Sequence, residues 1–252
     1  MYIQQIRNAT LKVQYAGKTF LIDPFFAEKH AMPPFPNTPN QDVRNPLVDL
    51  PVPVEELTQA DAVIVTHLHP DHFDQAAAEA LSKDMTILAQ STEDAEEIRK
   101  YGFTDCSAFD DVQLFEGIRL IRTSGQHGRG DITKMTGPVS GIVFKNDKEP
   151  TLYVAGDTVW CSEVEEALDL HQPDVVVVNG GAARFLEGGP ITMTAEDIFT
   201  VKEAAPQAEI VVSHMESLNH CLLSRRELNR LITEKNFGST VFVPEDGETL
   251  KF

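Results

Sequence analysis

Ala62-Val63-Ile64-Val65-Thr66-His67-Leu68-His69-Pro70-Asp71-His72 is the stretch on which the reading of this 252-residue chain turns. Its first four residues are apolar and mostly β-branched, so it reads as a buried strand. The strand ends by delivering four potential ligands within six residues. Imidazole and carboxylate are the usual nitrogen and oxygen ligands of zinc and related divalent ions. Pro70 bends the chain between His69 and Asp71, so ligands on its two sides can face different points, as a two-metal site requires. The plain alternative is a solvated turn with Asp71 capping the next helix, but four ligand types directly behind a core strand are an unusual turn composition.

Working outward, the preceding residues read as a meander of short strands, Tyr2 to Arg7, Thr10 to Tyr15 and Thr19 to Ile22, joined by tight turns. Beyond the cluster the periodicity predicts a helix from about Phe73 to Leu81, a strand Thr86 to Ala89 and a helix Thr92 to Tyr101. Ser91 is placed to cap that last helix, and Gly102 to end it. Further strands are expected at Val112 to Phe115, Ile118 to Thr123, Val139 to Phe144, Thr151 to Ala155, Asp174 to Asn179, Ile210 to Ser213 and Thr240 to Val243. Helices are expected at Ser162 to Leu170, Ala195 to Ala204 and Arg225 to Glu234. Hairpins mixed with strand and helix alternation predict a single α/β layered domain over residues 1–252, with helices covering sheets and no internal repeat.

From Phe25 to Glu55 seven prolines fall without any periodicity, which reads as a long loop. Loops of this kind inside a domain are usually lids or binding loops, or are disordered. This one leaves the meander at Asp23 and returns just before the strand carrying His67. It is therefore expected to lie over the site, with Phe25, Phe26 or Phe35 as apolar walls.

Three more ligand types stand at the end of an apolar strand: His127 behind Ile118 to Thr123, Asp157 behind Leu152 to Ala155, and His214 behind Ile210 to Ser213. Singly, each reads as an ordinary loop or turn residue. Together with the cluster they point to one place, because active sites of layered α/β folds gather on loops at strand ends. His220 follows His214 closely enough to serve as a substrate contact or proton donor, and Asp23 could orient a ligand from behind. Arg129, Lys134 and Arg184 lie in Gly-containing loops where a cation could hold a phosphate or carboxylate.

Thr66-His67-Leu68-His69-Pro70-Asp71-His72 followed in order by His127, Asp157 and His214 resembles the five-part signature of the metallo-β-lactamase superfamily, over nearly the whole chain. The resemblance implies a four-layer αβ/βα sandwich. It also implies that His67, His69 and His127 bind one metal, that Asp71, His72 and His214 bind a second, and that Asp157 bridges them. Leu21-Ile22-Asp23-Pro24, Val154-Ala155-Gly156-Asp157-Thr158 and Pro244-Glu245-Asp246-Gly247-Glu248 are similar to the branch that contains the L-ascorbate-6-phosphate lactonase. That branch implies manganese as an alternative to zinc. A divalent ion lowers the pKa of bound water from ~15.7 towards ~7, so the expected nucleophile is a metal-bridging hydroxide. Asp71, Asp157 and His220 are the residues expected to act in catalysis, Asp71 or Asp157 moving a proton to the leaving group.

Composition narrows the partners. With 39 acidic against 21 basic side chains, the formal charge of −18 repels polyanions, which argues against nucleic acid or an anionic membrane. Cys106, Cys161 and Cys221 form no C-x-x-C pair, which suits free thiols in a reducing compartment. No apolar run approaches the ~20 residues of a membrane helix, and the first residues do not read as an export signal, so the expectation is cytoplasmic. Antibiotic hydrolysis is accordingly not expected. Only 38 residues follow His214, which leaves no room for a nuclease-type or flavodoxin-type domain. The expected activity is hydrolysis of a small anionic molecule through a lactone, ester or phosphoester bond. The rivals are a phosphodiesterase, a glyoxalase-like thioester hydrolase, and a non-catalytic metal-dependent sensor, against which the complete ligand set speaks.

Overall fold

Side chains two apart on a strand share a face. In the computed structural model, which describes residues 1–109 and 111–252, that rule sorts most apolar residues into three large buried clusters. The first half of the chain runs through the meander β1 (Tyr2–Arg7), β2 (Thr10–Tyr15) and β3 (Lys18–Ile22), then the Pro-rich loop and a one-turn helix α1 (Val54–Leu57). It continues through β4 (Ala62–Val65), α2 (Gln75–Ala80), β5 (Ile87–Ala89), α3 (Thr92–Arg99) and β6 (Cys106–Ala108). The second half holds β7 (Val112–Phe115), β8 (Ile118–Ser124), α4 (Thr133–Thr136), β9 (Ser140–Asn146), β10 (Glu149–Val154) and α5 (Ser162–His171). It ends with β11 (Val175–Asn179), α6 (Ala195–Ala204), β12 (Glu209–Ser213), α7 (Arg225–Glu234), β13 (Val241–Phe242) and β14 (Thr249–Lys251).

The strands form two seven-stranded sheets, in the orders β14-β1-β2-β3-β4-β5-β6 and β13-β12-β11-β10-β9-β8-β7, so the last strand of the chain returns to the edge of the first sheet. Val13, Phe20, Ile22 and Ile64 on the first sheet meet Phe144, Val154, Val177 and Val211 on the second, forming the central layer of the core. The alternate residues Leu21, Val63 and Val65 face the other way, onto Ala77, Leu81 and Ile98 of the first helical layer. Val176, Val178 and Val212 likewise face Val164, Leu168, Ile198 and Leu228. The result is the four-layer αβ/βα sandwich that the sequence predicted. Each fully buried Val, Leu, Ile or Phe contributes about 1.5–3 kcal/mol.

The differences from the predicted elements are local. The helix expected from Phe73 starts at Gln75 because Asp74 is its N-cap, accepting the Ala77 N–H at 2.7 Å. α3 is capped by Ser91, as expected, but stops at Arg99 rather than Tyr101. β6 and β14 were not predicted; at three residues each they are too short to display a period.

The Pro-rich stretch forms no strand, apart from a single bridge between Met32 and Asn45. Its two ends are tied by the fully buried Arg7, whose guanidinium donates to the carbonyls of Phe25 and Ala27 at 2.9 Å and of Val48 at 3.0 Å. Burial pulls the Arg7 pKa down to about 10 against the opposing fields of Asp74, Asp246 and Asp49, so it stays charged. No helix among the described residues is long and apolar enough to cross a membrane.

Candidate metal centre

β4 stops at Val65, and the turn behind it is held from below by Asp23. The Asp23 carboxylate accepts the Thr66 N–H and the Thr66 hydroxyl, each at 2.7 Å, and lies 2.8 Å from His72 Nδ1. A carboxylate can only accept, so Nδ1 carries a proton and Nε2 of His72 is the nitrogen turned inward, free to give up its own proton to a cation. Asp23 sits in left-handed backbone at φ +48°, and His214 at φ +57°, conformations that non-glycine residues adopt rarely and that recur at functional sites.

The structure brings all seven expected ligands together. His67, Asp71, His72, His127, Asp157 and His214 are each at most 5 % exposed, and His69 is half-buried. Three triplets, His67/His69/His127, Asp71/His72/His214 and His67/His72/Asp157, each present ligand atoms within 4.8 Å of one another. Asp157 Oδ2 stands 3.2 Å from His72 Nε2 and 3.6 Å from both His127 Nε2 and His214 Nε2. His214 Nε2 is 3.2 Å from Asp71 Oδ2. Despite these distances, Nε2 of His67, His72 and His214 makes no hydrogen bond. Buried nitrogens aimed past hydrogen-bonding geometry at carboxylate oxygens are costly unless a cation completes them, so the donor set fits divalent metal.

The electrostatics agree. Burial, reinforced by His72 and His69, holds His67 well below the ordinary imidazole value, and burial takes His127 down to about 4 against the pull of Asp157. Both rings are therefore neutral at pH 7, with lone pairs available. Burial also opposes charge on His72, yet the carboxylates of Asp157, Asp23 and Asp71 outweigh it and push this pKa up to about 10. His214 is raised against burial chiefly by Asp157. Asp71 and Asp157 resist burial because His72 and His214 hold them well below the carboxylate range. Protons on His72 and His214 occupy the place that a cation between the two carboxylates would take.

Several supporting residues were not singled out in the sequence. Asn179, at the end of β11, donates to Asp157 Oδ1 at 2.7 Å, and Asn8 donates to the Asp71 carbonyl at 3.0 Å and Asp71 Oδ2 at 3.2 Å. His127 Nδ1 meets the Ile191 carbonyl at 2.8 Å, and His214 Nδ1 lies 3.5 Å from Cys221 Sγ. The Gly180-Gly181 pair, which resembles an anion cradle only weakly, has a packing reason instead: a Cβ on Gly181 would sit 2.2 Å from the His214 carbonyl oxygen. Asn179 carried a usable signal, since it closes an apolar strand as Asp157 and His214 do.

His220 is buried beside the cluster, its Nδ1 without a partner, and burial lowers its pKa to about 4. The expected loop cations turn elsewhere. Arg129 pairs with Asp197 and Lys134 with Asp131, both at 2.6 Å, while Arg184 lines an outer cleft with Thr194, Glu196 and Leu222. Of the three phenylalanines expected as walls, Phe25 and Phe35 pack with Leu218 and Cys221 beside the site. Phe26 instead joins the core under α2 and α3, because Asp74 captures its backbone N–H at 3.1 Å.

The family model for the beta-lactamase superfamily domain matches residues 18–215. The chain belongs to the metallo-β-lactamase superfamily. It is 48% identical over 254 residues to the UPF0173 protein YddR of Bacillus subtilis, with all of both chains covered. Among solved structures of the superfamily, an isothiocyanate hydrolase from Delia radicum gut bacteria is 45% identical with a TM-score of 0.96, covering 100% of this chain and 99% of that one. A possible metal-dependent hydrolase from Veillonella parvula is 39% identical with a TM-score of 0.98 over the same shares. The chain is thus an enzyme, a metal-dependent hydrolase with the metallo-β-lactamase fold.

Proposed function

We propose that this hydrolase works as one domain over residues 1–252, in the cytoplasm, on a small neutral molecule with an electrophilic carbon, of the isothiocyanate class. His67, His69 and His127 would hold one divalent ion, Asp71, His72 and His214 a second, and Asp157 would stand between them. The observation that carries the two-ion reading is the set of buried, hydrogen-bond-free Nε2 atoms of His67, His72 and His214, of which His72 faces the Asp157 carboxylate and His214 the Asp71 carboxylate, each at 3.2 Å. Zinc or manganese suits this ligand set, and when bound supplies Lewis acidity and water of lowered pKa.

The substrate class rests on the isothiocyanate hydrolase that the chain matches over its full length, and it agrees with Arg129 and Lys134 each pairing with a carboxylate of the chain itself. The reaction adds water across the central carbon: R–N=C=S and H2O give R–NH2 and O=C=S, with both water hydrogens ending on nitrogen. His220 is neutral at pH 7 and can hydrogen-bond the reacting nitrogen, while Asp71 and Asp157 hold and pass the proton. The rival is a small anionic lactone, ester or phosphoester of the lactonase-like kind, which would need the ions themselves to hold its charge.

The test is consumption of benzyl isothiocyanate by zinc- or manganese-reconstituted protein, beside a panel of lactones, phosphodiesters and thioesters. Turnover of the isothiocyanate with release of benzylamine is expected. Turnover confined to an anionic member of the panel would replace this reading with its rival.

A further inference from the structure

The segment behind His214 folds under the Pro-rich loop, and one buried side chain spends nearly all its polar atoms there. Asn219 Nδ2 donates to Thr38 Oγ1 at 2.8 Å and to the Pro39 carbonyl at 2.7 Å. Its Oδ1 accepts from Asn45 Nδ2 at 2.9 Å and from the Phe35 N–H at 3.2 Å. The Asn219 backbone is used as well: its N–H donates to Asn45 Oδ1 and its carbonyl accepts from Asn40 Nδ2, both at 2.8 Å. Six hydrogen bonds thus connect one residue, 1 % exposed, to the middle of the loop, between the ends that Arg7 ties.

Only a primary amide of this length offers two donors and a two-lone-pair acceptor in one plane. Aspartate would lose both donors, and glutamine would displace them by a methylene. What the clamp places is next in sequence: the Phe35 ring meets the His220 ring edge-on, with centroids 4.9 Å apart, and Phe25 and Leu218 form the apolar ground beneath. An irregular segment loses about 1–2 kcal/mol per ordered residue in backbone entropy, so the residue that makes six hydrogen bonds with residues 35–45 bears most on where that part of the loop rests.

We propose that Asn219 is a positioning residue, clamping the Pro-rich loop so that Phe35 stands against His220 as an apolar wall for the organic tail of the substrate. The tail part of this assignment rests on the hydrolase reading above. It predicts that loss of the clamp harms substrates with large tails selectively, whereas a merely structural role would harm all of them alike.

The experiment compares wild type with Asn219→Ala and Thr38→Val, the latter removing one partner from the loop side should the first variant fold poorly. Three readouts are taken: metal content, amide hydrogen exchange over residues 33–45, and kinetics on benzyl and methyl isothiocyanate. In Asn219→Ala, exchange over 33–45 is expected to rise roughly tenfold or more, with that over 62–72 unchanged, and metal content is expected to stay at the wild-type value. KM for benzyl isothiocyanate should rise about fivefold or more, with KM for the methyl compound and both kcat values within about twofold. Thr38→Val should show the same pattern at smaller amplitude. Unchanged exchange, or equal losses on the two substrates, overturns the proposal. Failure of wild type to hydrolyse either isothiocyanate would defeat the reading of the substrate alone, and the exchange comparison would still decide the clamp.

Discussion

Replacing Asp23 by asparagine asks how much of the metal centre is built by a residue that touches no metal. Three donors converge on the Asp23 carboxylate: His72 Nδ1 at 2.8 Å, and the Thr66 hydroxyl and N–H at 2.7 Å. An amide offers one acceptor atom and two N–H groups, so at least one of these donors must face another donor in a site 1 % exposed. One buried, unsatisfied donor costs about 1–3 kcal/mol. For a chain of this size that lowers Tm by roughly 3–9 °C. If the amide N–H faces His72, the ring must take the other tautomer, with its proton on the inward Nε2 where a ligand lone pair is needed. Losing such an orienting partner typically lowers metal affinity by ~10–100-fold, or about 1.4–2.8 kcal/mol. Zinc affinity by competition with a chelator, together with calorimetric Tm, measures both terms. An Asp23→Asn protein that binds zinc within about twofold of wild type would refute the claim that this carboxylate fixes the His72 tautomer.

Elemental analysis after reconstitution should give about two divalent ions per chain, and His69→Ala or His127→Ala should deplete one site more than the other; stoichiometry near zero in wild type would end the two-ion reading. Asp157→Asn should fold, by circular dichroism, yet lose roughly 10²-fold or more in kcat, since an amide cannot neutralise two cations; near wild-type turnover would reduce Asp157 to a turn residue. His220 titrates at about 4 in the folded chain against ~6.5 in an unfolded one. The unfolded state therefore takes the proton first, and this contribution to stability is complete above about pH 6.5 and lost as the pH falls towards 4. His220→Asn should flatten that acid limb in urea unfolding at pH 7 and pH 5, and an unchanged difference between the two would contradict it.

The layers were legible because parallel strands buried on both faces read as apolar runs, as in Val175 to Val178, and because Ser91 caps its helix in the ordinary way. The grouping of the candidate site was legible where its chemistry is contiguous, from His67 to His72, and where a residue of ligand type closes an apolar strand. The supporting groups were harder to see. Asn8 sits in the turn between β1 and β2 at φ +54°, where asparagine is already explained by the turn. Arg7 ends β1, and nothing local says that three carbonyls of a distant irregular loop will require its guanidinium. Of the three loop cations weighed as anion holders, Arg129 and Lys134 pair with acidic neighbours of which their loop positions gave no sign.

The division of the ligands between the sheets carries a consequence for how long the folded molecule lasts. Each outer triplet takes two members from the turn behind β4 on the first sheet and one from the second, His127 behind β8 or His214 behind β12. An ion held in either triplet would therefore staple the two sheets of the sandwich together, closing a long stretch of chain much as a disulfide does, but coming and going with free metal. Pulling the sheets apart would then mean breaking coordination bonds first, and the slow step of unfolding would include release of the ion. Survival under heat or protease then becomes a property of the surrounding metal concentration as much as of the chain, and starving the protein of metal would shorten its life before any change in its substrate could be felt.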